Sequence, residues 1–116
     1  MANIRRGRIN EEIMRELAGL TRTIKDPRVP AMISITRVEA TQDMRYAKVY
    51  VSTLGDHEAL LECIAGLKSA AGYLRRELAS RLLLRYTPEL VFEADESLIE
   101  GAHIMQLLED IDKNAK

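Results

Sequence analysis

The 116-residue sequence has one cysteine, no tryptophan, one phenylalanine, two histidines and three prolines. A lone Cys63 excludes an internal disulfide and fits a reducing, cytoplasmic compartment. No apolar run reaches the roughly 18–20 residues of a membrane-spanning helix, so no membrane partner is expected. Met1–Asn10 carries arginines without a following apolar stretch, which predicts no secretory signal. His57, His103 and Cys63 are scattered, and neither histidine has a partner at metal-ligand spacing. Walker loops, nucleophile elbows and paired-cysteine motifs are absent as well. The many carboxylates offer pairs, but nothing selects one. The expectation is no catalytic residue, no metal, no cofactor and no small-molecule substrate.

What the chain does have is an ordinary globular balance, 47% hydrophobic and 30% charged residues. Its length suits one domain over residues 1–116, with residues 1–5 and 113–116 expected to fray. The net charge of −1 conceals an asymmetry. Residues 1–48 hold ten basic and six acidic side chains, whereas residues 87–116 hold eight acidic ones against Lys113 and Lys116. A polyanion responds to the field within about a Debye length, roughly 8–10 Å, and not to the total charge. The first three-quarters of the chain can therefore meet RNA. The plainer alternative is a solvated surface with unevenly spread charges.

Ile9, Ile13, Leu17, Leu20 and Ile24 recur at steps of four and three and line one face of a helix. Asn10, flanked by Ile9 and Met14, has the form of a capped and stapled start, with a start nearer Ile4 as the alternative. Arg8, Arg15 and Arg22 lie opposite the apolar stripe, and Glu11 stands four residues before Arg15 as a surface pair. Pro27 ends this helix near Lys25, and Pro27 and Pro30 hold Arg28 outward in a stiff loop. Met32–Thr41 reads as a strand whose parity changes between Ile35 and Val38, the signature of a bulge. Arg45–Thr53 alternates with Ala47, Val49 and Val51 on one side, completing a hairpin about Thr41–Met44. Asp56 caps a second helix carrying Leu60, Ile64, Leu67 and Ala71, and a third carries Leu74, Leu78 and Leu82. Leu90–Ala94 is a third strand, and Asp95 caps a last helix with Ile104, Leu107, Leu108 and Ile111. The order α-β-β-α-α-β-α predicts an α+β domain, a small mixed sheet covered by helices.

An αα unit between strands is the core of KH domains, where a Gly-rich turn lets RNA backbone approach closely. Here the junction is Ala70-Ala71-Gly72, without a GxxG loop. Two alanines favour helix continuation, so a kink is expected instead of a clamp loop. Gly72 would admit a phosphate at the start of the third helix, with Arg76 on the same face. The commoner meaning of a lone glycine among alanines is close helix packing.

Ile24-Lys25-Asp26-Pro27-Arg28-Val29 and Asp43-Met44-Arg45-Tyr46-Ala47-Lys48-Val49-Tyr50-Val51 resemble the ribosome-binding factor A family. Further on, Ala70-Ala71-Gly72-Tyr73-Leu74-Arg75, Pro88-Glu89-Leu90-Val91-Phe92 and Asp95-Glu96-Ser97-Leu98-Ile99-Glu100-Gly101 follow in the family's order. The ordered set spans about Arg8 to Leu108 and is far more specific than any one segment. The resemblance implies a type II KH-like fold whose interhelical turn is an Ala-x-Gly kink. It also implies binding to 16S rRNA in the free 30S subunit or its precursor, a part in late rRNA maturation, and a role in growth in the cold.

Candidate RNA contacts in or beside matching segments are Lys25, Arg28, Lys48, Gly72, Arg75 and Arg85. Arg8, Arg15, Arg45, Arg76 and Arg81 join them by charge and expected exposure, although Arg81 beside the apolar stripe suits a structural role too. Tyr46, Tyr50, Tyr73 and Tyr86 can stack on bases, but core or rim packing is the commoner role for tyrosine. Cys63 flanks a buried stripe and reads as a small core residue. The expected protein is a monomer. Two rivals remain: a KH-type single-stranded RNA regulator, and an adaptor that uses the acidic last helix.

Overall fold

The computed structural model describes residues 2–30, 32–53, 55–82, 84, 86–96 and 108, with side chains from Arg6 onward. The elements are α1 (Ala2–Leu20), a 3-10 turn (Thr21–Thr23), β1 (Ile33–Ala40), β2 (Tyr46–Thr53), α2 (His57–Ser69), α3 (Ala71–Arg81) and β3 (Glu89–Ala94). The sheet order is β1-β2-β3, with β1 antiparallel and β3 parallel to the central β2. This is the α+β arrangement expected, and it fits the KH-like pattern. The expected last helix lies outside the described residues apart from Leu108.

β2 organises the core. Ala47, Val49 and Val51 are fully buried beneath the helices, while Tyr46 and Lys48 alternate onto the opposite face. α1 contributes Ile13, Leu17 and Leu20, α2 contributes Leu60, Cys63 and Leu67, and α3 contributes Leu74 and Leu78, all 0–1% exposed. These side chains belong to one cluster, closed at the sheet by Ile35, Val38, Leu90 and Phe92. The expected stripes of the first three helices therefore face the core, with Cys63 fully buried there. Ile9, Ile24 and Leu82 are only partly buried, however, and Ala71, expected on the second helix, opens α3.

Several local expectations fail: α1 ends at Leu20 and not near Lys25, and Arg28, expected to be held outward, folds back onto Asp26. α1 begins by Ala2, so Asn10 sits inside the helix and does not cap it. Its Oδ1 instead accepts the backbone N–H of Ala40, 2.9 Å away at the end of β1. An asparagine facing a strand terminus gains a tertiary donor, which offsets its modest helix propensity. The Glu11–Arg15 pair also does not form within 4 Å. Both side chains are largely solvated, where an ion pair is worth only a few tenths of a kcal/mol.

The remaining joints follow the expected chemistry. The β1–β2 ladder shifts register between Ile35 and Arg37, at the expected bulge. The hairpin turns through Met44 at φ 62°, the left-handed region. Asp43 holds that turn, accepting from Thr41 Oγ1 at 2.6 Å and from the Arg45 N–H at 3.1 Å. These two donors, with the Arg45 charge, keep its carboxyl below the usual carboxylate range. Asp56 caps α2 by accepting from the Ala59 N–H at 2.8 Å. His57 Nδ1 lies 2.6 Å from Glu96 Oε1, linking the start of α2 to the segment beyond β3.

Candidate nucleic-acid interface

The loop after α1 is built from its own side chains. Asp26 Oδ1 accepts from the Arg28 N–H at 2.9 Å, and its two oxygens take Arg28 Nε at 3.1 Å and Nη2 at 2.7 Å. The paired Arg28 side chain, then its backbone N–H, hold the Asp26 carboxyl down at about 2. Arg28 Nη2 also donates to Ser69 Oγ at 3.2 Å, at the last residue of α2. The loop is seated there by Val29, which is 8% exposed and packs against Gly66. A Cβ on Gly66 would stand 2.6 Å from Val29 Cγ2, so only glycine lets the loop approach α2 this closely. No local pattern signals this requirement, because Val29 and Gly66 are distant along the chain.

Next to that loop, α2 and α3 meet at a single residue. The Ala70 N–H reaches the carbonyls of Gly66 and Leu67 at 3.1 Å, and the Ala70 carbonyl accepts from the Leu74 N–H at 2.9 Å. Ala70 thus ends one helix and begins the next at φ −93°, ψ 2°, a conformation open to any residue. The kink is present and no clamp loop exists. Gly72 is exposed, its φ is not positive, and an added Cβ would meet nothing within 4 Å. Among the described residues nothing packs against Gly72, so close packing between the described helices does not explain this glycine.

The candidate cations divide by what they already hold. Lys25, Lys48, Arg8, Arg15 and Arg76 are exposed and have no side-chain partner among the described residues. Arg28 is paired with Asp26, and Arg81 reaches Glu16 on α1 at 3.7 Å and Glu77 at 3.9 Å. Arg75 donates through Nε and Nη2 to the Thr87 carbonyl, at 3.1 and 3.0 Å. Arg45 lies 3.9 Å from Asp43. Arg85 is outside the described residues. Lys48 is on the sheet face turned away from the helices, so it does not share a surface with Gly72 and Arg76. Arg45 and Arg75 do converge, on an open groove of about 500 Å³.

The Tyr73 hydroxyl is 2.7 Å from Thr23 Oγ1 and ties α3 to the 3-10 turn after α1. The Arg37 guanidinium lies 4.3 Å above the Tyr50 ring. Tyr46 and Tyr86 are 46% and 68% exposed and line the same groove as Arg45 and Arg75. Among the described residues, no group of three or more His, Cys, Asp or Glu is placed to hold a metal ion. No described helix is long and apolar enough to cross a membrane. Burial pushes the Cys63 thiol up to about 11, which suppresses thiolate chemistry.

The family model of ribosome-binding factor A matches residues 5–108. Ribosome-binding factor A of Clostridium tetani is 48% identical over 115 residues, covering 98% of this chain and 95% of that protein. The solution structure of a Thermotoga maritima protein described in that same family is 35% identical, with TM-score 0.72, covering 80% of this chain and 89% of the other. A Thermus thermophilus ribosome binding factor A, fitted into a cryo-EM map of a 30S complex, is 25% identical, with TM-score 0.63 and coverage of 75% and 91%. With nearly full-length identity and the αα joint in its expected place, this chain belongs to the ribosome-binding factor A family.

Proposed function

We propose that the protein binds the free small (30S) ribosomal subunit or its precursor and assists the late maturation of 16S rRNA. Binding and release suffice for this role, and no covalent step is required of it. The observation that carries the reading is the family match over residues 5–108, joined to a relative fitted into a 30S complex. The surface chemistry supports it. Arg8, Arg15, Lys25, Lys48 and Arg76 hold no carboxylate and are available to phosphates, which position a protein on RNA without reading bases. Gly72 leaves room for backbone to approach the start of α3, whose first N–H groups favour an anion. The protein then acts as a cytoplasmic monomer, and growth at low temperature, where misfolded RNA states persist, is where its loss is felt most.

A binding protein shifts an RNA equilibrium only by its difference in affinity for the two conformers. Favouring the near-mature conformer by tenfold requires about 1.4 kcal/mol of differential contact, an amount a few ordered contacts supply. The KH-type clamp on single-stranded RNA fits less well, because a one-residue joint offers no loop to close on a strand. Sucrose-gradient fractionation of a lysate tests the reading. Comigration with free small subunits is expected, and confinement to soluble fractions or translating ribosomes overturns it.

A further inference from the structure

The groove shared by Arg45 and Arg75 has a composition that phosphate contacts do not explain. It lies between the β1–β2 turn, the first turns of α3 and the segment leading into β3, and its walls include Met44, Tyr46, Tyr86 and Glu89. Among its described lining residues, the two arginines are matched by Asp43 and Glu89. Its volume, about 500 Å³, falls within the roughly 300–1,000 Å³ of small-molecule sites. Tyr46 and Tyr86 both line it, with 46% and 68% of their surface exposed. We propose that this groove receives one unpaired nucleobase of the bound RNA. The inference rests on the RNA-binding reading above and adds direct recognition of a base to it.

Each wall has a part in such recognition. Tyrosine rings and guanidinium planes stack on splayed-out bases. The two bonds from Arg75 to the Thr87 carbonyl fix its guanidinium plane at the groove and leave Nη1 for a further acceptor, such as a base oxygen or ring nitrogen. Met44 adds a flexible apolar surface beside the tyrosines. The Glu89 carboxylate has no hydrogen-bond or ion-pair partner among the described residues, and a carboxylate accepts only from donors. Adenine, cytosine and guanine offer an exocyclic amine to it. Uracil's one base donor, N3–H, is flanked by two carbonyl oxygens that repel a carboxylate, so the favoured base carries an amino group.

The experiment compares wild-type protein with Tyr46→Leu/Tyr86→Leu on purified small subunits, by affinity and by base probing with dimethyl sulfate and kethoxal. Stacking on one base corresponds to roughly 5- to 150-fold in affinity. The expected result is at least a fivefold loss together with loss of protection at one unpaired A, C or G. Tyr46→Phe/Tyr86→Phe, which keeps both rings, should stay within twofold of wild type and keep that protection. Tyr86→Leu alone, at a largely exposed position, serves if the double variant unfolds. Unchanged affinity and protections in the leucine variant overturn the proposal while the RNA-binding reading stands. Lost affinity with every base protection intact overturns it too, and assigns the groove to a protein partner. Failure of the wild-type protein to bind subunits removes the reading on which it rests.

Discussion

Asp26 and Arg28 show how a residue selected for its charge acquires a structural duty. Pro27 and Pro30 were expected to hold Arg28 outward. The structure instead folds its guanidinium back onto Asp26 and Ser69, because a carboxylate two residues away is the nearest strong acceptor. A folded-state value of about 2 lies below the ordinary Asp value of about 3.8. The stabilising contact is therefore complete above about pH 4 and is lost as pH falls through about 2. Carboxyl NMR titration should find Asp26 near 2 in the wild type. In Arg28→Ala it should move part of the way up, since the backbone N–H of residue 28 still donates. Gly66 gives a second test. In Gly66→Ala, an overpacking cost of roughly 1–3 kcal/mol against Val29 competes with about 1 kcal/mol of helix propensity gained. Urea denaturation should show a net loss of up to about 2 kcal/mol, and a stabilised variant would show that the loop is not seated as described.

At the level of elements, the amphipathic patterns were legible because burial follows periodicity. Ile13, Leu17, Leu60, Leu67, Leu74 and Leu78 were all assigned to buried faces by spacing, and all are at 0% exposure. The bulge between Ile35 and Val38 was legible for the same reason: parity must change where the core face is kept. Asn10 departs from its cap signature because that signature is local, whereas its partner, the Ala40 N–H, is thirty residues away. The α2–α3 joint allows a prediction at this scale. Gly72 has helical φ and open space around it, so Gly72→Ala should stabilise the free protein by up to about 1 kcal/mol in urea denaturation. If the bare face of α3 receives RNA backbone, the same variant should bind small subunits more weakly. A variant both more stable and equally well bound would remove Gly72 from the interface.

For the whole molecule, the free cations lie on more than one surface. Arg8 and Arg15 are on α1, Arg76 is on α3, and Lys48 is on the sheet face away from the helices. RNA binding through this set should weaken with salt, and each lost phosphate contact should lower the slope of log affinity against log salt by about one. Arg15→Ala/Lys25→Ala should thus flatten that slope by up to about two, measured from 50 to 200 mM salt. Tyr46→Leu/Tyr86→Leu should lower affinity and leave the slope unchanged. A slope unaffected by the cationic changes would show that those side chains are only solvated charges.

The sequence by itself determined the element order through β3, most of the buried stripes, the bulge, the Asp56 cap and the family, because these depend on spacing and on ordered local motifs. Which cations stay free, which tyrosines reach solvent together, and why position 66 must be glycine were decided by tertiary structure alone. The physical reason is the same in each case. A side chain's availability depends on partners brought to it from distant segments: Glu16 to Arg81, Thr23 to Tyr73, Thr87 to Arg75 and Val29 to Gly66. No local pattern encodes those meetings.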